Sequence, residues 1–171
     1  MSRAFVKEGD GDEALPLALP PLPPGVPNAI TADGAARWQA QLAAWRAERR
    51  ALGDPGGGSG LAAGRRRELD GLIGAWEARS ATFRVSGPPA RPERVSFGCT
   101  VELDGPRGPR RYRLVGVDEV RGDGAASWLS PLGRTLMGAA VGDLLTLRAP
   151  GGDEEVEVMA IFGEAGAAPG R

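Results

Sequence analysis

Glycine and proline are clustered along this chain, and the clusters decide which stretches can form regular secondary structure. The 171 residues include 27 glycines and 15 prolines. Dense groups of them lie in residues 1–29, 53–60 and 86–92, where missing amide donors and a flexible backbone oppose helices and sheets. Two stretches are left to fold, residues 30–85 around the cluster at 53–60 and residues 93–163. The clustering therefore predicts two modules.

The remaining segments are predicted to lie outside these modules. Residues 1–29 form a proline-rich leader, which we expect to be extended and disordered unless it docks. Residues 86–92 are predicted as a linker and mark the domain boundary. Residues 164–171 are predicted as a frayed tail.

The first module reads as two helices that fold back on each other. Thr31 is a suitable N-cap for a helix over residues 32–52, and a second helix is predicted from residue 61 to about 81. Their apolar residues recur at heptad-like spacing. The predicted seam consists of Trp38, Leu42, Trp45, Leu52, Leu61, Leu69, Leu72, Ile73 and Trp76. With a short turn at 53–60, the pattern predicts an antiparallel helical hairpin whose arms reach about 30 Å.

The second module changes to period two, which is typical of half-buried strands. A strand is predicted from Glu93, and a short helix over 131–138 begins with proline and ends with glycine. Alternation marks its apolar phase at Val95, Phe97, Cys99, Val101 and Leu103. Further strands are predicted at 110–117, 127–129, 144–148 and 155–162. The fold class is therefore α+β, a helical hairpin followed by a mostly antiparallel β domain with one short helix.

Composition excludes several kinds of chemistry. The chain has no histidine, one cysteine, and 21 basic against 22 acidic side chains. It therefore lacks the usual neutral-pH base, an internal disulfide and a cysteine cluster for zinc. No run approaches the roughly 18 apolar residues of a membrane span. We predict no catalytic residues, no cofactor, no metal of its own, no small-molecule substrate, no membrane contact and a cytoplasmic setting.

Two acidic clusters could in principle carry chemistry. Asp118 and Glu119 could form an acid/base pair or a metal site, but a solvated turn is the favoured interpretation. The other cluster comprises Asp153, Glu154, Glu155 and Glu157. Alternation with valine predicts that these side chains form the solvated face of an edge strand.

Three other features have a structural interpretation beside a functional one. Residues 65–67 are three arginines that could touch phosphate, but a solvated helix face is favoured. The tryptophans at 38, 45 and 76 could stack on bases, but their seam spacing favours a hairpin core. Cys99 lies on the apolar phase of its strand and is predicted to be inert core.

The order of several motifs resembles the GreA/GreB family of transcript-cleavage and elongation factors. The resemblance covers about residues 28–163, and its most specific part is the ordered series in the β domain. The segments are MSRAFVKE (1–8), NAIT (28–31), RVSFG (94–98), YRLVGVDE (112–119), SPLGRTLMG (130–138), VGD (141–143) and PGG (150–152).

The resemblance implies an N-terminal coiled coil and an FKBP-like β domain without isomerase activity. It also implies that the β domain binds RNA polymerase at the mouth of the secondary channel, which leaves room for indirect contact with nucleic acid. Ser130 and Pro131 are the polymerase-binding residues carried over from the family. Leu129 stands before them where the family often has an acidic residue, so this contact is expected to be differently tuned.

The hairpin tip departs from the family pattern. The resemblance implies a tip with neighbouring carboxylates that help hold magnesium at the polymerase active site. Here the turn over residues 53–60 contains a single carboxylate, Asp54. The arms are also shorter than in cleavage factors. A single carboxylate on a glycine-rich loop is a poor metal ligand, because ordering the loop costs entropy. We therefore predict that the protein enters the channel with weak or no stimulation of cleavage.

Two other interpretations stay open from the sequence. Regulators of nucleoside diphosphate kinase share this architecture with a short hairpin, and the short arms here favour such a binding module on another partner. An isomerase of the FKBP type would need an aromatic ligand pocket, which a chain with 5% aromatic residues is poorly equipped to build.

Overall fold

The computed structural model describes residues 19, 21–53, 60–148 and 152–163. Helix α1 spans Ala32–Ala51 and helix α2 spans Gly60–Ser80. Thr31 caps α1 by accepting a hydrogen bond from the amide of Gly34. Ion pairs join Arg46 to Glu77 and Arg49 to Asp70, so the two helices run antiparallel. The predicted helical hairpin is therefore confirmed.

The two helices bury an aromatic cluster along their seam. Trp38 and Trp76 stack with 3.6 Å between ring centroids, and Trp45 meets Trp76 edge to face. The Trp38 indole also donates a hydrogen bond to the Trp76 carbonyl. The buried cluster contains Trp38, Leu42, Trp45, Leu69, Leu72 and Trp76. These tryptophans form hairpin core, as the favoured interpretation holds, and leave no open face for stacking on bases.

Leu61 is wrongly placed in the predicted seam. Its side chain is 87% exposed. The ion pair between Glu48 and Arg65 already lies in the last turn of α1, so Leu61, one turn further out, has no helix opposite. The heptad spacing continues past the end of the partner helix, and the spacing alone does not show where that helix ends.

A small two-stranded sheet closes the base of the hairpin. Strand β1 (Asn28–Ile30) pairs in parallel with β2 (Phe83–Val85). Residues 28–29 are predicted as part of the leader, and no strand is predicted for either segment. Leu19 also packs against the aromatic cluster, so part of the proline-rich segment contacts the hairpin.

The β domain is a five-stranded sheet with strand order β5-β4-β3-β7-β6. Its strands are β3 (Thr100–Asp104), β4 (Arg110–Val115), β5 (Ala125–Ser127), β6 (Leu144–Leu147) and β7 (Glu154–Phe162). All neighbours pair antiparallel except β4 and β5, which run parallel. Helix α3 (Pro131–Leu136) buries Leu136 in the core with the inward residues of the sheet. The α+β fold class predicted from the sequence is confirmed.

The first strand of this domain begins later than its alternation predicts. Residues 86–99 form no helix or strand, and β3 starts at Thr100. Gly98 has a φ of +85° and the amide of Cys99 donates to the carbonyl of Ser96, so the chain turns there. Val95 and Cys99 are nevertheless buried, as their apolar phase indicates.

The acidic stretch of β7 is only partly solvated. Glu155 and Glu157 are exposed as predicted, but Glu154 is buried and pairs with Arg110 at 2.6 Å and Arg107 at 3.5 Å. The strand is also not an edge, because β7 lies between β3 and β6. The prediction is wrong for Glu154 because alternation places that residue on the inward phase.

Two properties of the described part of the chain bear on function. None of its helices combines the length and the apolar character that crossing a membrane requires. The cysteine, aspartate and glutamate side chains of this described part form no group of three or more that could hold a metal ion.

A carboxylate clamp at the base of the hairpin

Asp118 and Glu119 lie where the β domain meets the hairpin. Strand β4 ends at Val115, and Gly116 leads into a single 3₁₀ turn over Val117–Glu119. The Gly116 amide donates to the Glu119 carboxylate at 2.8 Å, which holds this side chain over the turn. A Cβ at Gly116 would lie 2.2 Å from the Ala29 carbonyl oxygen, so only glycine fits here.

Glu119 binds the start of helix α1. Its carboxylate accepts a 2.8 Å hydrogen bond from the Thr31 amide and a second bond from the Thr31 hydroxyl. The same hydroxyl accepts from the Gly34 amide at 3.0 Å and so caps the helix. The Arg37 guanidinium lies 3.7 Å from the Glu119 carboxylate. The negative charge therefore sits beside the positive end of the helix dipole, where it is stabilised.

Gly34 makes room for this carboxylate. A Cβ at this position would lie 1.9 Å from a Glu119 carboxylate oxygen. Glycine inside a helix costs about 1 kcal/mol relative to alanine, so Gly34 is unfavourable for α1 considered alone. The close approach of Glu119 explains why a glycine occupies the first turn.

Asp118 binds the end of helix α2. The Arg79 guanidinium donates two hydrogen bonds to its carboxylate, at 2.7 and 2.9 Å, in the paired geometry that favours arginine–carboxylate contacts. The side-chain amide of Asn28 donates a third hydrogen bond to this carboxylate at 3.3 Å. It also donates to the Thr82 hydroxyl. The Asp118 side chain is only 3% exposed.

We call Asp118 and Glu119 the carboxylate clamp. One carboxylate holds the first helix of the hairpin and the other holds the second, and both come from one short turn of the β domain. The favoured prediction of a solvated turn is wrong, because both side chains are buried. The acid/base or metal alternative gains no support either, since both carboxylates are engaged by amide, hydroxyl and guanidinium donors.

The loop that carries the proposed polymerase contacts follows β5. Ser130 caps α3 by accepting from the Gly133 amide at 3.0 Å, and its hydroxyl donates to the Ser127 carbonyl at 2.7 Å. Pro131 opens the helix and is exposed, whereas Leu129 is partly buried. The Leu129 carbonyl accepts from the Arg134 side chain. The structure thus brings these three residues together on one rigid turn, which we call the docking loop (129–131).

The clamp and the docking loop lie at the same edge of the sheet. Strands β4 and β5 are parallel, and Val115 is the register partner of Ser127. Parallel strands end at the same edge, so the segments that follow them emerge side by side. The Trp128 amide donates to the Val115 carbonyl, which fixes the start of the loop to the end of β4.

The outer end of the hairpin, where α1 ends and α2 begins, has more arginines than carboxylates. Some of these arginines are paired with carboxylates. Asp54, the predicted tip residue, lies outside the described residues. Arg65 binds Glu48 at 2.7 Å and Glu68 at 2.9 Å. The hydrogen bond from Arg65 lowers the pKa of Glu48, and the same bond raises the pKa of Arg65.

Arg66 departs from the predicted solvated face. Its side chain is buried and donates to the carbonyls of Leu52 and Gly53, the two residues that follow helix α1. Arg67 is exposed, as predicted. Contact of this run with nucleic acid stays a prediction.

A helical hairpin joined through buried hydrogen bonds to a small β domain defines a two-module protein. Comparison with known proteins identifies the family to which this two-module protein belongs. The family model described as "Transcription elongation factor, GreA/GreB, C-term" matches residues 90–162. The transcription elongation factor GreA of Ralstonia nicotianae is 36% identical over 122 residues, which cover 67% of this chain and 77% of that protein. The chain belongs to the GreA/GreB family of transcription elongation factors.

Two further relatives were found. The transcription elongation factor GreB of Neisseria meningitidis serogroup A is 36% identical over 101 residues, 57% of this chain and 62% of that protein. The crystal structure of Gfh1 from Thermus aquaticus aligns with 26% identity and a TM-score of 0.40, and covers 79% of this chain and 97% of that one. The family model and the similarity in sequence to GreA and GreB confirm, at the level of the family, the resemblance read from the ordered motifs.

Proposed function

We propose that this protein binds RNA polymerase through its β domain and inserts the helical hairpin into the secondary channel, without being an enzyme itself. The hairpin carries the proposal. Helices of 20 and 21 residues give arms about 30 Å long and only two helices wide. The stacked tryptophans and the interhelical ion pairs make this projection stiff enough to enter a narrow opening.

The chemistry at the far end of such a channel belongs to the polymerase. A second metal ion in a two-metal reaction needs oxygen ligands, and a hairpin tip with neighbouring carboxylates could supply them. Here the tip sequence offers Asp54 alone among four glycines, one serine and one proline between residues 54 and 60. We propose that the factor occupies the channel and changes elongation while it stimulates transcript cleavage weakly or not at all.

A transcript-cleavage assay on stalled elongation complexes tests this assignment. The wild-type protein should alter elongation rate or pausing but leave the stalled transcript largely uncut. Asp54→Ala should behave like the wild type, because the single carboxylate contributes little to metal binding. Strong cleavage that disappears in Asp54→Ala would contradict the proposal.

The docking loop supports the proposed polymerase contact. It is rigid, because the Ser130 hydroxyl is held by two hydrogen bonds, and it presents Pro131 to solvent. Leu129 gives this loop an apolar residue where the family often has an acidic one, so a more apolar contact is expected. The structure places Ser130 mainly as a helix cap, which makes Pro131 the better residue to substitute.

A pull-down with core RNA polymerase tests the loop. Pro131→Ala should weaken capture, whereas Pro109→Ala, an exposed proline in the loop between β3 and β4, should not. Equal capture of the two variants would show that the docking loop is not the contact.

One observation favours a second candidate. The short arms also suit a binding module of the type that regulates nucleoside diphosphate kinase. Affinity purification of the full chain from native cell extract separates the two functions, because polymerase subunits should be recovered under the first and a kinase under the second.

A further inference from the structure

We propose that Asp118 and Glu119 are positioning residues that set the direction in which the hairpin projects from the docked β domain. The inference rests on the proposed function and deepens it. It assigns to the carboxylate clamp the task of aiming the hairpin, so that docking of the β domain also aligns the tip with the channel axis.

The clamp holds the hairpin at two points. Glu119 binds Thr31 at the start of α1, and Asp118 binds Arg79 in the last turn of α2. A single attachment would allow the hairpin to swivel about one bond. Attachment of both helices to adjacent residues of one 3₁₀ turn fixes the tilt, because any tilt stretches one of the two contacts.

The backbone on both sides of the clamp approaches it closely. Gly34 on the hairpin and Gly116 in the β domain each approach so closely that a Cβ would overlap the opposite module. Glu119 is buried between them and receives donors from both sides, the Thr31 amide and the Gly116 amide. Packing of this kind permits one relative placement of the modules and resists neighbouring ones.

The path along the backbone from the docking loop to the hairpin is short. The clamp follows β4 and the docking loop follows β5, and these parallel strands end at one edge. The orientation that the β domain takes on its partner is therefore passed to the hairpin through rigid backbone. Because the arms are about 30 Å long, a tilt of about 10° would move the tip by about 5 Å.

An electron-spin distance measurement on the full chain tests whether the clamp sets this direction. Spin labels at Arg67→Cys on α2 and Glu157→Cys on β7 report the placement of one module against the other, since both residues are exposed. Cys99 is buried and free, so it should label poorly. The double variant Asp118→Asn/Glu119→Gln should shift or broaden the distance distribution by about 5 Å or more. A distribution identical to that of the unmodified clamp would overturn the proposal.

A steric variant tests the same joint without changing its charge. Gly34→Ala places a methyl group against Glu119 and should broaden the distances in the same way. Gly74→Ala is the matched control, because it is an exposed helical glycine with open space around its Cβ position. It should leave the distances unchanged. Unfolding curves that show both modules intact in each variant exclude a collapsed fold as the cause.

The functional readout separates aiming from docking. Clamp variants should bind core polymerase with a Kd within about twofold of the wild type, because the docking loop is unchanged. Their effect on elongation at saturating concentration should fall roughly tenfold or more, since a misplaced tip loses its contacts. A variant with broadened distances and full effect on elongation would overturn the proposal. If the wild type itself does not bind polymerase, the proposed function fails, and the distance measurement still decides whether the clamp aims the hairpin.

Discussion

Glu154 is a buried carboxylate whose partners come from a different part of the β domain. Arg107 reaches it from the loop between β3 and β4, and Arg110 reaches it from the first position of β4. The two ion pairs tie this region to the start of β7. A buried ion pair contributes little net stability compared with apolar residues, but removal of one partner leaves the other charge uncompensated.

Glu154→Ala should therefore lower the free energy of unfolding by about 3 kcal/mol, because Arg110 would remain partly buried without its counter-charge. Glu155→Ala, the exposed neighbour on the same strand, should change it by less than about 0.5 kcal/mol. Urea unfolding of the two variants measures the difference. Equal losses of unfolding free energy in the two variants would show that the ion pairs of Glu154 do not stabilise the fold.

The hydrogen bond between Glu48 and Arg65 makes the stability of the hairpin depend on pH. This bond lowers the pKa of the folded Glu48 carboxyl below its ordinary value of 4.5. Because the pKa of Glu48 is lower in the folded protein than its ordinary value, the bond to Arg65 stabilises the fold at pH values above that ordinary value. This stabilisation is lost as the pH falls through the folded pKa.

An NMR titration of the Glu48 carboxyl should show this lowered pKa in the wild type. Arg65→Gln should move the pKa of Glu48 back toward 4.5, because the main cause of the shift is removed. Arg67→Gln, which changes an exposed arginine of the same helix, is the control and should leave the pKa of Glu48 unchanged. An unchanged pKa of Glu48 in Arg65→Gln would mean that another group holds it down.

At the scale of elements, the apolar seam of the hairpin was largely predictable from the sequence, but its ends were not. Periodicity identifies Trp38, Leu42 and Trp45 because a helix face repeats regularly. It also includes Leu61, because spacing reports which face a residue occupies and not whether a partner lies opposite. The same limit applies to β3, where alternation runs on through Gly98 although the backbone turns there.

Two leucines of helix α2 make this distinction measurable. Leu69 is completely buried, whereas Leu61 is 87% exposed. Leu69→Ala should lower the free energy of unfolding by about 3 kcal/mol, through lost burial and the cavity left behind. Leu61→Ala should change it by less than about 0.5 kcal/mol. Thermal unfolding followed by circular dichroism compares the two, and a comparable loss in Leu61→Ala would place that residue in a contact.

At the scale of the whole molecule, the two modules could be predicted from the sequence, but the joint between them could not. Thr31 and Glu119 are 88 positions apart, and Arg79 and Asp118 are 39 apart. No local pattern pairs such residues. One signal was present: Gly34 is a poor residue for the first turn of a helix, and its presence indicates that another group approaches closely there.

The joint should also make the molecule unfold as one unit. Trp38 reports the hairpin and Trp128 the β domain, so their indole NMR signals follow the two modules separately during heating. In the wild type both signals should disappear at one temperature, because the buried carboxylate clamp couples the modules.

In Asp118→Asn/Glu119→Gln the hairpin signal should disappear first. The hydrogen bonds at the base of both helices are weakened by about 2 kcal/mol in total, which lowers the hairpin midpoint by roughly 10 °C. The β domain keeps its own core and should unfold near its original temperature. Asp123→Asn, which changes an exposed carboxylate four residues away from Glu119, should leave both signals together. If the two signals still disappear together in the clamp variant, other contacts between the modules, such as the ion pair of Arg113 in β4 with Asp33 in α1, couple them without the carboxylates.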